Sequence, residues 1–112
     1  MPNEIKITSY FASRYKRLIK KFSSLENDVD ILIAELLENP TLGTSLGNNL
    51  YKIRLKSKSK GGGKSGGFRA ITYLVNETEE GTDIYLIIMF DKSEESSIKK
   101  EILVKIVKQL FE

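Results

Sequence analysis

The stretch FRAITYLVNETEEGTDIYLIIMF, Phe68–Phe90, decides the fold of this chain of 112 residues. Its first part, FRAITYLV, is rich in β-branched and aromatic residues, which are typical of a strand. Its last part, DIYLIIMF, is almost continuously apolar, which predicts a central strand buried on both faces. The polar segment NETEEGT between them predicts a hairpin loop. The stretch therefore predicts two neighbouring strands at the centre of a sheet.

Upstream of this hairpin, the pattern predicts a strand followed by two helices. EIKIT alternates apolar and polar residues, as a short half-buried strand does. Apolar residues then recur at helical spacing in two successive segments. Ser9 is predicted to cap the first helix, and Ser23 and Glu26 are predicted to form a capping box for the second. Asn39 and Pro40 are expected to end the second helix.

The turn-rich segment TLGTSLGNN then leads into LYKIRL, in which Lys52 and Arg54 share the face opposite to the apolar residues. This predicts a strand with a basic exposed face. At the other end of the chain, ESSIKKEILVKIVKQLF predicts an amphipathic helix capped by Ser96 or Ser97. The order strand, two helices, three strands and helix favours a single α+β domain, residues 1–112, with a mainly antiparallel sheet.

The connection between two of these strands is strongly basic. KSKSKGGGKSGG, residues 56–67, holds four lysines and five glycines, and the cations continue onto the strands on either side. From Lys52 to Arg69 the chain has seven cations and no acid, and the cations are Lys52, Arg54, Lys56, Lys58, Lys60, Lys64 and Arg69. Because side chains alternate along a strand, Arg69 is predicted to share the face of Lys52 and Arg54, subject to the hairpin register. This surface predicts a polyanionic ligand.

A nucleotide-binding P-loop is excluded by spacing, because its motif requires glycine where Lys58 stands. The chain contains no cysteine and no histidine, so thiolate metal sites and the usual general base at neutral pH are excluded. No metal and no cofactor are predicted, and chemistry is expected to use Lys, Arg, Tyr or carboxylates. The N-terminus shows no secretory pattern and no apolar run approaches the length of a membrane span, so we expect a soluble cytoplasmic protein without membrane contact.

The runs YKIRLKSKSKGGGKSGGFRAITY and IIMFDKSEESSIKKEI resemble the RelE/ParE superfamily of bacterial toxins from type II toxin–antitoxin systems, most of all its HigB-like branch. The resemblance extends over nearly the whole chain, and GKSGGFR with the downstream DKSE is its most specific part. Members of that family fold as a small sheet with a helical pair on one side, and most cleave messenger RNA on the ribosome. The resemblance therefore implies a RelE-like domain and a ribosome-dependent endoribonuclease.

If the chain cuts RNA without a metal or a histidine, lysines and arginines must move the protons and hold the phosphate. Lys60 or Lys64 is the candidate general base, because neighbouring cations disfavour the charged form of a lysine. Arg69 is the candidate phosphate clamp, because its planar fork is fixed on a strand. The resemblance places further catalytic groups after the last strand, where Lys92 is the candidate acid for the leaving oxygen.

The remaining candidates bind RNA and do not react with it. Lys52, Arg54, Lys56 and Lys58 are expected to contact phosphates, and Phe90, where several family members carry tyrosine, is expected to stack on a base. Tyr73 is an alternative hydroxyl, although packing is the favoured role for it. Two roles are equally expected for the basic side chains of the first helix, namely contact with ribosomal RNA or simple exposure to solvent. These side chains are Arg14, Lys16, Arg17, Lys20 and Lys21.

The resemblance also implies partners, namely the ribosome with its mRNA and a cognate antitoxin, expected to be a HigA-like helix-turn-helix protein that covers or distorts the basic surface. Two alternatives stay open at this point. One is a ParE-like inhibitor of DNA gyrase that cuts no nucleic acid. The other is a plain RNA-binding domain, although the glycine-rich segment lacks the aromatic pairs that base-stacking platforms use.

Overall fold

A five-stranded sheet with helices on both faces forms the body of the protein, as seen in a computed structural model. The structure describes residues 3–55, 67–95 and 97–111. Its elements are β1 (Glu4–Ile7), α1 (Ser9–Lys21), α2 (Leu25–Glu38), β2 (Thr44–Gly47), β3 (Leu50–Leu55), β4 (Phe68–Thr78), β5 (Gly81–Asp91) and α3 (Lys100–Phe111). The predicted α+β class and element order are confirmed, with one additional strand, β2.

The strand order across the sheet is β1-β5-β4-β3-β2. The β2–β3, β3–β4 and β4–β5 pairs are antiparallel, and β1 pairs with β5 in parallel. The sheet is therefore mainly antiparallel, as predicted, and β5 lies between two strands with most of its residues buried. The hairpin is longer than predicted, because Thr78 pairs with Gly81 and only Glu79 and Glu80 form the turn. The polar segment NETEEGT belongs largely to the strands.

Strand β2 lies in the segment that sequence patterns assigned to turns. It is short and largely exposed, and it is held by pairing with β3, as in Thr44 with Lys52. The following turn uses Asn48 and Asn49 with φ values of 55° and 63°. Asparagine tolerates this left-handed conformation better than most residues, so a tight hairpin can form there. Strand β2 therefore forms because it pairs with β3 at the edge of the sheet, and the apolar periodicity of a sequence does not indicate such pairing.

The helix ends differ from the predicted caps. Thr8, not Ser9, caps α1, because its buried hydroxyl accepts a hydrogen bond from the Phe11 amide at 3.2 Å. Helix α2 begins at Leu25 after Ser24, which already has helical φ and ψ and makes no cap hydrogen bond with its side chain. The Ser23 capping box is therefore wrong by one residue.

Helix α3 begins later than predicted. The Lys99 carbonyl accepts from the amides of Ile102 and Leu103, so the helix starts at Lys100. Ser97 is therefore too early to cap α3, and Ser96 lies outside the described residues. In the described part of the chain, no helix is long and apolar enough to cross a membrane.

The two faces of the sheet carry different cores. The face toward α1 and α2 is packed with apolar side chains that include Leu18, Leu32, Phe68 and Leu86. On the opposite face, Leu103 and Ile106 of α3 pack over a second set of apolar strand residues. Phe111, near the end of α3, contacts the rings of Tyr73 and Tyr85, at centroid distances of 5.7 and 4.9 Å. Tyr73 is thus a packing residue, the role that the sequence favoured for it.

Candidate functional site

Three neighbouring strands bring Arg54, Arg69 and Phe90 into one row. Arg54 of β3 pairs with Arg69 of β4, which in turn pairs with Phe90 of β5. Directly opposed residues on neighbouring antiparallel strands have Cβ atoms about 5 Å apart on the same face. The prediction that Arg69 shares one face with Arg54 is confirmed. The row lies on the face that carries α3, because Phe90 belongs to the core on that side.

Arg69 is the unusual member of the row, because only 5% of its surface is exposed. Its Nη1 donates to the carbonyl of Phe68 at 3.2 Å. Over residues 3–55, 67–95 and 97–111, the ion pairs join Lys6 to Glu4, Arg14 to Glu95 and Arg17 to Glu94, and Arg69 takes part in none of them. The sequence from Lys52 to Arg69 supplies no acid either.

The surroundings of Arg69 disfavour its charge. Burial lowers the pKa of Arg69 below its usual value, and the neighbouring Arg54 guanidinium lowers it further. Arginine nevertheless stays charged at neutral pH. A buried cation without an acidic partner destabilises a fold unless an anion compensates it. Among the described residues, Arg69 is therefore a buried cation whose charge no acidic side chain compensates.

Two other cations lie on the same face but are less buried. Arg54 is exposed, and Lys52, two residues before it, is half-buried. Lys52 pairs with Ile71, so it is one same-face position along the sheet from Arg69. Both cations lie on β3, next to Arg69. Arg69, on the middle strand of the sheet, is the most buried of the three.

The stacking role predicted for Phe90 is wrong for this structure. Only 1% of Phe90 is exposed, and its ring is part of the core. Because β5 is a central strand with α3 over its face, an apolar ring beside Arg69 is covered and is not open to a base. Phe90 is thus a buried apolar neighbour of Arg69 in the sheet.

Lys92 lies in a tight turn directly after β5. Its amide donates to the carbonyl of Gly67 at 3.1 Å, which joins the turn to the residue before β4. The buried carboxylate of Asp91 accepts from the Ser93 amide at 2.9 Å and from the Ser93 hydroxyl at 2.8 Å. Gly67 has a φ of 99°, which favours glycine there. The turn therefore holds Lys92 beside the start of the strand that carries Arg69.

The other predicted catalytic and RNA-binding cations lie outside the described residues, namely Lys56, Lys58, Lys60 and Lys64. The residues that flank this segment, Leu55 and Phe68, are paired with each other in the sheet. Leu55 and Phe68 are the sequence neighbours of Arg54 and Arg69.

The basic face of α1 is partly engaged within the protein. Arg17 binds Glu94 through two hydrogen bonds of 3.3 and 3.1 Å, and Arg14 pairs with Glu95. Lys16, Lys20 and Lys21 are exposed. Sequence reasoning missed Glu94 and Glu95, although two consecutive acids after a strand in a basic protein are a signal for an internal partner. It also missed Asp91, whose burial a polar DKSE segment does not indicate.

Comparison with known proteins identifies the fold. A variant of the Escherichia coli toxin RelE, solved in the free state, superposes with a TM-score of 0.60 and 19% sequence identity, covering 99% of this chain and 100% of that chain. No protein-family model matches the chain, and no curated protein sequence matches it. The likeness extends over the full length of both chains, and the protein has the RelE fold.

Proposed function

We propose that this protein is the toxin of a type II toxin–antitoxin system, of the HigB-like branch, and that it cuts messenger RNA on the ribosome without a metal. Arg69 carries this proposal, because it is a buried cation with no acidic partner among the described residues and it lies opposite a second arginine. A phosphodiester provides the missing anion. The RelE fold, found in a protein named as a toxin, supports the same reading.

In this mechanism Arg69 holds the scissile phosphate through its planar guanidinium, and it stabilises the charge that builds up as the 2′-hydroxyl attacks. Lys60 or Lys64 removes the proton of that hydroxyl. Lys92, held next to Gly67 by its backbone, gives a proton to the leaving oxygen. Pairing with β3 and β5 already fixes the backbone of Arg69.

The remaining cations position the RNA. Lys52 and Arg54 extend from the same face as Arg69, and Lys56 and Lys58 follow directly in the chain. Contacts of this kind strengthen binding without reading the sequence. The partners in this proposal are the ribosome with its mRNA and a HigA-like helix-turn-helix antitoxin that covers or distorts the basic face and keeps the free toxin from harming its host.

The test is to incubate translating ribosomes with the protein and to map the new RNA ends. Cuts within codons, strongly reduced for Lys64→Ala or Lys60→Ala, are expected. Lys6→Met is the matched control, because it removes one cation from β1, where Lys6 pairs with Glu4. Intact RNA would contradict the proposal, and intact RNA together with blocked DNA supercoiling would favour a ParE-like inhibitor.

A further inference from the structure

A cavity of about 370 Å³ opens between α1, β5 and the segment that leads into α3. Three isoleucines give it apolar walls, namely Ile88, Ile98 and Ile102. The paired Arg14 and Glu95 line it as well, and Lys99 adds a second cation. This volume is in the lower part of the range that small-molecule sites occupy.

Ile88, which lines the cavity, lies on the same face of the sheet as Arg69. Ile88 and Phe90 are two residues apart on β5, and they pair with Ile71 and Arg69 on β4. Residues two apart on a strand share a face and are separated by about 7 Å. The nucleotide next to a phosphate at Arg69 is therefore the candidate occupant of the cavity.

The walls suit a flat, uncharged ring more than a phosphate. Aliphatic side chains cover the faces of a base, and 48% of Ile102 is exposed, so an apolar surface is available to it. Arg14 donates to one oxygen of Glu95, Oε1, and Oε2 of Glu95 has no hydrogen-bond partner in the described parts of the chain. The Glu95 side chain is 36% exposed and that of Arg14 is 30% exposed, so both can reach a ligand.

The polar pair also selects among bases. A carboxylate only accepts hydrogen bonds and a guanidinium only donates them. Guanine presents an acceptor, O6, followed by two adjacent donors, N1–H and the 2-amino group, which matches a guanidinium beside a carboxylate. Uracil, adenine and cytosine do not present two adjacent donors on this edge. Single-stranded RNA is read through such edges when its bases are unstacked.

We propose that this cavity binds a guanine base of the RNA next to the phosphate held at Arg69, and that Glu95 determines the preference for guanine. The proposal rests on the proposed function for its biological setting. The recognition chemistry is a property of the cavity itself, so it can be tested with and without ribosomes.

Binding without ribosomes is tested by titrating the protein, with its isoleucine methyl groups labelled for NMR, with GMP and with UMP. GMP is expected to shift the methyl signals of Ile88, Ile98 and Ile102, and UMP to shift them much less at equal concentration. Ile31 of α2 is the internal control, because it is exposed but does not line the cavity. Equal shifts with both nucleotides, or no shift at these methyls, would overturn the proposal whatever the protein does on ribosomes.

Base preference is tested with mRNAs that differ only in the base next to the cut. Wild-type protein is expected to favour guanine, and Glu95→Gln, which keeps the shape but replaces one acceptor oxygen by a donor, is expected to lose about tenfold of that preference. Glu94→Gln is the matched control, because Glu94 also pairs with an arginine of α1 but does not line the cavity. An unchanged preference in Glu95→Gln would refute the proposal while leaving the nuclease intact. If wild-type protein leaves RNA uncut, the proposed function fails, and the titration alone decides on the cavity.

Discussion

The two faces of the sheet differ in the charge of the side chains that they carry. The face toward α1 and α2 is apolar along its length, whereas the other face is apolar under α3 and carries Lys52, Arg54 and Arg69 beyond it. Length explains the division, since α3 has 12 residues and β4 has 11. Such a helix is about 18 Å long and such a strand about 36 Å. One helix is therefore too short to cover the whole length of this face.

The largest effect on stability is expected on the apolar face. Leu86 is fully buried in the core under α1 and α2, so Leu86→Ala removes transfer energy and leaves a cavity. We expect a loss of about 2–5 kcal/mol in the free energy of unfolding, measured by urea titration. Ile31→Ala, at a residue that is 52% exposed, is the control and is expected to change little. A loss below that of the control would show that this face does not hold the fold together.

A smaller effect is expected at the turn that carries Lys92. Asp91→Ala removes the buried acceptor of the Ser93 amide and hydroxyl, at a cost of about 1–3 kcal/mol. The turn should loosen, so the Lys92 amide should exchange its hydrogen faster and the rate of RNA cleavage should fall. Ser93→Ala keeps the amide bond and is expected to have a weaker effect on both. Unchanged exchange at Lys92 would show that Asp91 does not position it.

The proposed binding of RNA by cations should be visible in the salt dependence of the affinity. Each phosphate contact adds about 0.7 to the slope of log affinity for single-stranded RNA against log salt. Replacing Lys56 and Lys58 by alanine should flatten that slope by about 1.4 if both touch phosphate. The cleavage rate at saturating protein should stay near that of the wild type. A full slope in the double variant would remove these lysines from the RNA-binding surface.

The smallest effect concerns the ion pair between Arg17 and Glu94. The hydrogen bond from Arg17 lowers the pKa of Glu94 below its usual value of 4.5. A carboxyl group with a lowered folded pKa stabilises the fold above its unfolded pKa, and this contribution is lost as the pH falls through the folded value. The difference in unfolding midpoint between wild type and Glu94→Gln should therefore be present at pH 7 and should shrink progressively as the pH falls below 4.5. A difference that persists at low pH would have another cause.

Much of the fold was predictable because long elements have strong periodicity. The central strands, the helical pair and the C-terminal helix followed from their apolar patterns, and the side-chain direction of Arg69 followed from alternation along β4. Strand β2 was not predictable in this way, since Thr44–Gly47 is held by its pairing with β3 and not by its own pattern. Helix caps were wrong by one to three residues, because they depend on the local φ and ψ at each helix start.

The sequence predicted which residue types form the candidate site, but not how deeply they are buried. Alternation indicates which face carries Arg69, but not that Arg69 is nearly fully covered. Arg69 lies on a middle strand beside Phe90, and its burial is a tertiary property that strand alternation does not report. Phe90 is buried as well, so its ring is not open to stack on a base. The partners of Arg14 and Arg17 were also hidden, because Glu94 and Glu95 are about 80 residues away in the chain.

The most direct test of this account is the single-turnover cleavage rate of Arg69→Met on saturating ribosomes, measured together with its unfolding midpoint. Methionine fills the buried space without charge, so the fold should be as stable as the wild type or more stable. Loss of the phosphate clamp should slow cleavage by about 100-fold or more. This pairing of kept stability and lost cleavage is what a site held for an anion predicts. Cleavage at the wild-type rate in a folded variant would contradict it, as would a large loss of stability.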